Sequence, residues 1–297
     1  MYEQIASNKR RSALLVILFF GLIAFLAWML GEATGMGRAG FILAVLISLV
    51  MTLASYAASD TIVLAISRAK PARKEDYPHL VNVVEGLTIA AGLPQPPRCY
   101  IIDDTAPNAF AAGRNPQHAV ICVTTGLLDK LDRAELEGVI AHEMSHIKNY
   151  DVRLQTLVVV MVGVVALLGD WILRGFFWGG RRRGGGRKGG GGAAVFILIG
   201  LVLAVLSPLI ARLIQFAVSR RREFLADADG ALLTRYPPGL ASALRKIAAD
   251  AEPLEAANKA TAHLYIVNPL KNIKGAVNRL FSTHPPIEER IAALEKM

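Results

Sequence analysis

Two histidines four residues apart, His142 and His146, enclose a glutamate in the sequence His-Glu-Met-Ser-His. The surrounding segment starts at Asp132 and contains no proline, which predicts a helix. Residues four apart share one face of a helix, so both imidazoles would reach one metal ion with Zn–N bonds of about 2.0–2.1 Å. Glu143 follows the first histidine directly and would reach a water molecule held at the metal. This is the H-E-x-x-H pattern of zinc hydrolases.

The neighbours of the histidine pair decide between a metal site and a solvated helix face. The flanking residues are apolar: Val139, Ile140, Ala141, Met144 and Ile147. A helix with such flanks is buried, and buried imidazoles need polar partners. A metal ion is the partner that this spacing suits, so the sequence predicts a catalytic zinc centre.

A third ligand is needed, because a catalytic zinc takes three protein ligands and keeps one position for water. At His79 and His118 a surface or strand-edge histidine is the favoured interpretation. Glu223 is a better candidate, since Asp227 follows four residues later on the same helical face. A carboxylate there would accept the N–H of a ligand imidazole and orient it. From spacing alone, a solvated charged face is equally compatible with this pair.

The composition indicates membrane segments. Of 297 residues, 53% are hydrophobic and only 19% are charged, and the mean hydropathy is +0.40. That is too apolar for an ordinary soluble domain of this length. Residues 12–30 and 40–66 are apolar runs long enough to cross a bilayer, with basic residues before the first and after the second. Residues 1–69 therefore predict a transmembrane hairpin with both ends in the cytoplasm.

The net charge of +9 does not indicate a nucleic-acid partner. The basic residues flank the hydrophobic runs, where membrane lipid explains them. A Gly/Arg-rich segment at 181–192 lacks the aromatic residues expected of an RNA-binding tail.

Cys99 and Cys122 lie in apolar, strand-like runs and predict buried thiols without a disulfide framework.

The rest of the chain divides by composition into three parts. Residues 70–153 predict the first part of a catalytic domain, with strands at 98–103 and 118–124 before the histidine helix. Residues 154–214 predict a second hydrophobic hairpin, and residues 215–297 predict the second catalytic part with the third ligand. If the second hairpin crossed the membrane, its Arg-rich loop would lie outside, so we expect incomplete or unconventional insertion.

Several segments, taken together and in order, resemble one family. They are residues 142–149 with Asp151, residues 108–113, residues 222–229 and residues 281–286. These segments look like those of the HtpX-type bacterial membrane zinc metalloproteases, which are relatives of the type 1 CAAX prenyl proteases. The Gly/Arg-rich loop departs from that family. The resemblance implies a mainly α, integral membrane fold: a zincin-like (gluzincin) catalytic domain with a small β-sheet, plus two hydrophobic helical hairpins.

The resemblance also implies the roles at the metal centre. One Zn²⁺ per chain would be held by His142, His146 and Glu223, with Glu143 as the general base. Asp227 would be the carboxylate that orients a ligand imidazole, that of His142 on the family pattern.

Two further groups are candidates by resemblance. His284 and Arg290 would donate to the oxyanion that develops during peptide hydrolysis. The alternative is that the His-Pro-Pro segment only stiffens a helix start. An edge strand formed by Asn108, Ala109, Phe110 and Ala111 would pair with an extended substrate, the alternative being an ordinary hairpin strand.

The implied function is a multi-pass, zinc-dependent endopeptidase of the cell inner membrane, with its active site facing the cytoplasm. Its substrates would be misfolded or damaged membrane proteins during stress. The alternative is processing of a particular substrate, such as a prenylated protein.

A membrane scaffold with a structural zinc is disfavoured, because such sites are closed by a fourth Cys or His and neither cysteine has zinc spacing. A transporter is disfavoured by the few ionisable groups in the first hairpin.

Overall fold

The computed structural model describes residues 2–33, 37–164, 219–257, 260–269 and 284–297. The Gly/Arg-rich segment, most of the second hydrophobic hairpin and residues 281–283 of the His-Pro-Pro segment lie outside the described residues. Within the described parts the chain is mainly helical, with one small mixed sheet. The predicted division into four parts stays a prediction.

The chain begins with two long helices, α1 (Tyr2–Ala33) and α2 (Gly37–Ala57), that pack along each other and lead into a short α3 (Ser59–Ile66). Long apolar side chains on their outer face are exposed, among them Ile17 at 65% and Val50 at 66%. A continuous apolar surface of this kind is typical of contact with membrane. Among the described residues, one helical stretch, Ala39–Ala57, is long and apolar enough to cross a bilayer.

The inner face of α1 is covered by protein. Leu15, Phe19 and Ile23 pack against a helix over residues 151–164 (α7), which contributes Leu154 and Val158. This described start of the second hydrophobic segment is therefore buried between α1 and the rest of the protein.

Four strands form the sheet: β1 (Lys70–Pro71), β2 (Arg98–Ile102), β3 (Ala109–Gly113) and β4 (Ala119–Thr124). Their order is β1-β2-β4-β3, with β2 and β4 parallel and the other two pairs antiparallel. The predicted strands correspond to β2 and β4. β3 lies at one edge of the sheet.

Some of the remaining helices contact this sheet, and the others pack on those helices or on one another. The remaining helices are α4 (Pro78–Ala91), α5 (Thr125–Lys130), α6 (Arg133–Lys148), α8 (Arg220–Thr234), α9 (Pro237–Ala249) and α10 (Ile287–Leu294). α6 is the central helix, since it contacts β3, β4, α4, α8 and α9. The main hydrophobic core surrounds it on these sides. Every residue of α6 from Gly138 to Ile147 is therefore buried.

Candidate metal centre

The histidine pair lies on α6, whose start is fixed by a capping box. The Asp132 carboxylate accepts a hydrogen bond of 2.9 Å from the Glu135 amide, and the Glu135 carboxylate accepts one of 2.8 Å from the Asp132 amide. This reciprocal pairing satisfies amides that the first helical turn leaves without partners. The helix then runs without interruption to Lys148, which holds His142 and His146 one turn apart.

The ligand atoms lie at separations that suit one zinc ion. The two Nε2 atoms of His142 and His146 are 3.2 Å apart. Glu223 Oε1 lies 3.5 Å from Nε2 of His146, and Glu223 Oε2 lies 3.8 Å from Nε2 of His142. A tetrahedral ion with bonds of 2.0–2.1 Å separates its ligand atoms by about 3.3 Å. These three residues are the candidate metal cluster within the described parts of the chain.

Carboxylates behind the two imidazoles determine which nitrogens carry protons. Nδ1 of His142 lies 2.9 Å from Asp227 Oδ1, and Nδ1 of His146 lies 3.0 Å from Asp151 Oδ2. Because a carboxylate accepts an N–H, each proton is on Nδ1 and each Nε2 presents a lone pair to the centre. Two facing lone pairs repel unless a cation lies between them, either a metal ion or a proton bound by His146. Glu223 Oε2 is also buried and has no hydrogen-bond partner in the described residues. The donor set therefore fits zinc.

A glycine allows the helix that carries Glu223 to approach α6. A Cβ atom added at Gly230 would lie 3.0 Å from the backbone nitrogen of His142. The backbones of α6 and α8 therefore touch at this point, and Glu223 and Asp227 lie on the preceding turns of the same helix. This close approach brings both carboxylates to the histidines.

Arg290 is fully buried and binds the carboxylate that orients His142. Its Nε and Nη2 donate to the two Asp227 oxygens at 2.8 and 2.7 Å, and Nη1 donates to the Ile266 carbonyl at 2.9 Å. These contacts hold Asp227, and through it His142. A role of Arg290 as donor to the reacting oxygen stays a prediction.

His284 lies on the other side of Glu223. Its Nε2 is 3.6 Å from Glu223 Oε2, and its side chain is almost completely buried. The structure therefore brings His284 to the metal centre, and its role as a donor to the reacting oxygen stays a prediction.

Glu143 lies between the histidines and the edge strand β3. It is buried, and its carboxylate interacts with the backbone amide of Ala111. Part of the outer edge of β3 is already paired: the Ile266 amide donates to the Ala109 carbonyl at 2.9 Å, and the Asn108 side chain donates to the Val267 carbonyl at 3.0 Å. A substrate strand would have to pair beyond these contacts or replace them.

Comparison with known proteins identifies the family. The sequence pattern of peptidase family M48 matches residues 74–297. The chain belongs to this family. It is 51% identical to the Protease HtpX homolog of Dictyoglomus turgidum, covering 100% of this chain and 94% of that protein. Its identity to the Protease HtpX homolog of Thermoanaerobacter pseudethanolicus is 44%, covering 100% of this chain and 98% of that protein. The M48 peptidase described here is thus a membrane zinc metalloprotease that acts on proteins.

The fold of this M48 peptidase is similar to a crystal structure of S. mikatae Ste24p. The TM-score is 0.50 at 18% sequence identity, and the match covers 99% of this chain and 67% of that chain. At this identity the likeness is one of fold alone.

The charges around the M48 metal centre favour a cation. Burial alone would lower the pKa of His146, but the hydrogen bond to Asp151 and the charge of Glu223 raise it to about 9. Burial would raise the pKa of Glu223, yet the charges of His284, His146 and nearby Arg290 hold it at about 2. Burial raises the pKa of Glu143. The candidate centre therefore combines the ionised carboxylate of Glu223 with the carboxylate of Glu143, which binds a proton more readily.

Sequence reasoning assigned no role to the residues that support His146. Asp151 follows the end of α6 by three residues, and Tyr150 before it adopts a left-handed conformation with φ 60°. This reversal turns Asp151 back toward the helix. Arg222, directly before the proposed ligand Glu223, donates to Asp151 Oδ1 at 3.0 Å. The sequence shows only that Asp151 follows the histidine pair closely. This spacing does not distinguish an aspartate that caps the helix from one that orients His146.

Proposed function

We propose that His142, His146 and Glu223 bind one catalytic zinc ion, and that the protein is an endopeptidase for misfolded or damaged membrane proteins during stress. The proposal rests on one observation: two Nε2 lone pairs and a buried carboxylate converge at zinc-like separations directly beside Glu143. A zinc ion held by His142, His146 and Glu223 would lower the pKa of a bound water toward neutrality and would polarise the scissile carbonyl.

The residues of the chain then carry the proton transfers and hold the ligands. Glu143 accepts a proton from the attacking water and delivers it to the leaving amine as the C–N bond breaks. Its raised pKa makes it a stronger base than an exposed carboxylate. Asp227, held by Arg290, keeps His142 in the tautomer that presents Nε2. His284, whose Nε2 lies 3.6 Å from Glu223 Oε2, would donate to the carbonyl oxygen as its charge develops.

Extended, unfolded substrates suit the edge strand. Asn108, Ala109, Phe110 and Ala111 are the proposed substrate-binding residues, and the Ala111 amide lies at Glu143. A segment that adds to a sheet edge must expose its own backbone donors and acceptors. Misfolded proteins expose such segments and well-folded ones do not, which supports quality control as the function.

The proposed location is the inner membrane, with the catalytic parts at the cytoplasmic face. The apolar outer face of α1 and α2 would contact lipid. Basic residues precede α1's apolar run and follow α3, at Lys9 to Arg11 and Arg68 to Lys74, which supports a cytoplasmic position for both. No role with nucleic acid is proposed.

The test is cleavage of an unstructured model protein by the detergent-solubilised full chain, with zinc content measured on the same samples. Glu143→Gln should keep zinc and lose about 10²–10⁴-fold or more in kcat, because it removes the base. Glu223→Ala should lose both zinc and activity. Glu137→Gln, a matched change on the outer face of α6, should leave both unchanged.

Two outcomes would contradict the proposal. A Glu223→Ala protein with full zinc and activity would mean that another residue completes the site. Cleavage of a prenylated peptide without cleavage of the unstructured protein would favour substrate-specific processing.

A further inference from the structure

The first membrane helix carries a buried polar residue directed at the metal centre. Asn8 lies on α1, just before its apolar run, and is only 3% exposed. Its Nδ2 donates to the Asn149 carbonyl at 2.9 Å and to Asp151 Oδ1 at 2.7 Å. Its Oδ1 accepts a hydrogen bond of 3.0 Å from Arg222 Nη1. Both polar atoms of this side chain are therefore used in contacts with catalytic segments.

These contacts lead directly to the proposed ligands. Asp151 uses Oδ2 to accept the Nδ1 proton of His146, and Oδ1 to accept from both Asn8 and Arg222. Arg222 is adjacent in sequence to Glu223. Asn8 thus binds the carboxylate that orients one ligand and the residue that precedes another. The partners lie 143 and 214 residues away in the chain, so only the tertiary fold brings them together.

Docking of α1 does not require this asparagine. Leu15, Phe19 and Ile23 already pack the helix against α7 through apolar contacts. Burying an amide group in such an interface is unfavourable unless its hydrogen bonds are made, and here all of them go to Asp151, Asn149 and Arg222. An apolar residue would serve packing equally well and would leave Asp151 without this donor.

We propose that Asn8 is a positioning residue of the metal centre: it fixes Asp151 and Arg222, and through them the imidazole of His146. The inference rests on the proposed zinc site. On this view the first membrane helix is a structural part of the active site as well as an anchor. A displacement of α1 relative to α6 would change how tightly zinc is held.

The experiment uses the full chain in detergent and two variants at one position. Asn8→Ala removes all three hydrogen bonds, while Asn8→Asp keeps the shape and the acceptor for Arg222 but removes both donors. We expect zinc affinity, measured by chelator competition, to fall 10–100-fold in both, as is usual when the support of a metal-binding histidine is lost. The visible absorption spectrum of the cobalt-substituted protein should change too, because it reports ligand geometry.

The matched control is Arg10→Ala, an exposed position on the same helix, which should leave affinity and spectrum as in the wild type. Wild-type affinity and spectrum in Asn8→Asp would overturn the inference, even if its Tm were lower, because a purely structural role moves stability alone. If Asn8→Ala does not fold, Asn8→Asp decides. A different result would contradict the proposed zinc site itself: wild-type protein that binds no zinc, or a Glu223→Ala protein that still binds zinc.

Discussion

The two histidines of α6 are held by different parts of the molecule. Asp227, on the helix that also carries Glu223, orients His142. It forms an ion pair with Arg290, whose side chain is 0% exposed. His146 is oriented by Asp151, which is bound by Asn8 of α1 and by Arg222. One support thus comes from α8 and α10, and the other includes the N-terminal helix α1.

The two supports also differ in chemistry. Arg290 and Asp227 form a buried, bidentate ion pair. Loss of either residue would therefore leave the other as an unpaired buried charge. The side chain of Arg222 is 11% exposed, and the contact from Asn8 is a neutral amide. Water can replace part of this second support. We therefore expect the support of His142, formed by Asp227 and Arg290, to be rigid and essential for folding. The support of His146, centred on Asp151, should tolerate small changes in position.

The largest effect is expected from Asp227→Asn. The substitution leaves the buried Arg290 guanidinium without its counter-charge, and breaking a buried pair in this way costs about 3–5 kcal/mol. Thermal unfolding should show a much lower Tm, and zinc content should fall with it. Adding Arg290→Gln should restore part of the stability but not the zinc affinity. A stable Asp227→Asn protein with full zinc would show that this side is not the rigid one.

Asp151→Asn should separate metal binding from stability. Zinc affinity should fall about 10–100-fold, since the amide no longer accepts strongly from the His146 imidazole. The free energy of unfolding should fall less than in Asp227→Asn, because Arg222 retains contact with water. Chelator competition and denaturant unfolding on the same samples give both values. Equal losses of stability in the two variants would remove the distinction between the two sides.

Gly230→Ala tests the close approach of α8 to α6. The added methyl group would lie 3.0 Å from the His142 backbone nitrogen, so the helices must move apart by a few tenths of an ångström. Overpacking of this kind costs about 1–3 kcal/mol, and zinc affinity should fall because both carboxylates move. Gly86→Ala is the control, since nothing lies within 4 Å of its added methyl group. Unchanged zinc affinity in Gly230→Ala would mean that the contact does not set ligand geometry.

The smallest effect is expected at the exposed end of α6. Arg133, whose side chain is 79% exposed, pairs with Glu137 at 2.9 Å. Pairs of this kind contribute about 0.3–0.5 kcal/mol, so Arg133→Ala should leave zinc content unchanged and reduce stability only slightly. A loss of more than about 1 kcal/mol in denaturant unfolding would indicate that α6 is less firmly held than its buried second half suggests.

Local features of the sequence were sufficient to predict the metal helix and two strands. Asp132 and the apolar flanks of the histidines predict α6, because capping and periodicity act within one helix. The apolar runs at β2 and β4 are short and bounded by turns, which made them recognisable. Spacing alone left Glu223 uncertain, and family resemblance was needed to name it as a ligand.

The supports of the centre were beyond such reasoning because they join distant residues. Asn8 and Asp151 are 143 residues apart, and Arg290 lies 63 residues from Asp227. Nothing in the local pattern around Arg290 distinguishes a donor to the substrate from a partner of Asp227. The hydrogen bond between the Ile266 amide and the Ala109 carbonyl could not be predicted from the sequence for the same reason. It depends on how a segment outside the strands lies along the edge of the sheet.

The spacing of these residues along the chain has a consequence for biosynthesis. His142 and Arg290 are 148 residues apart, and the hydrophobic segment that follows α6 lies between them. A nascent chain that has made both histidines still lacks Glu223, Asp227 and Arg290. With the ligands and supports proposed above, the metal centre is complete only after translation has passed through the hydrophobic segment and reached Arg290. The order of synthesis would then delay peptide-bond hydrolysis until almost the whole chain has been made.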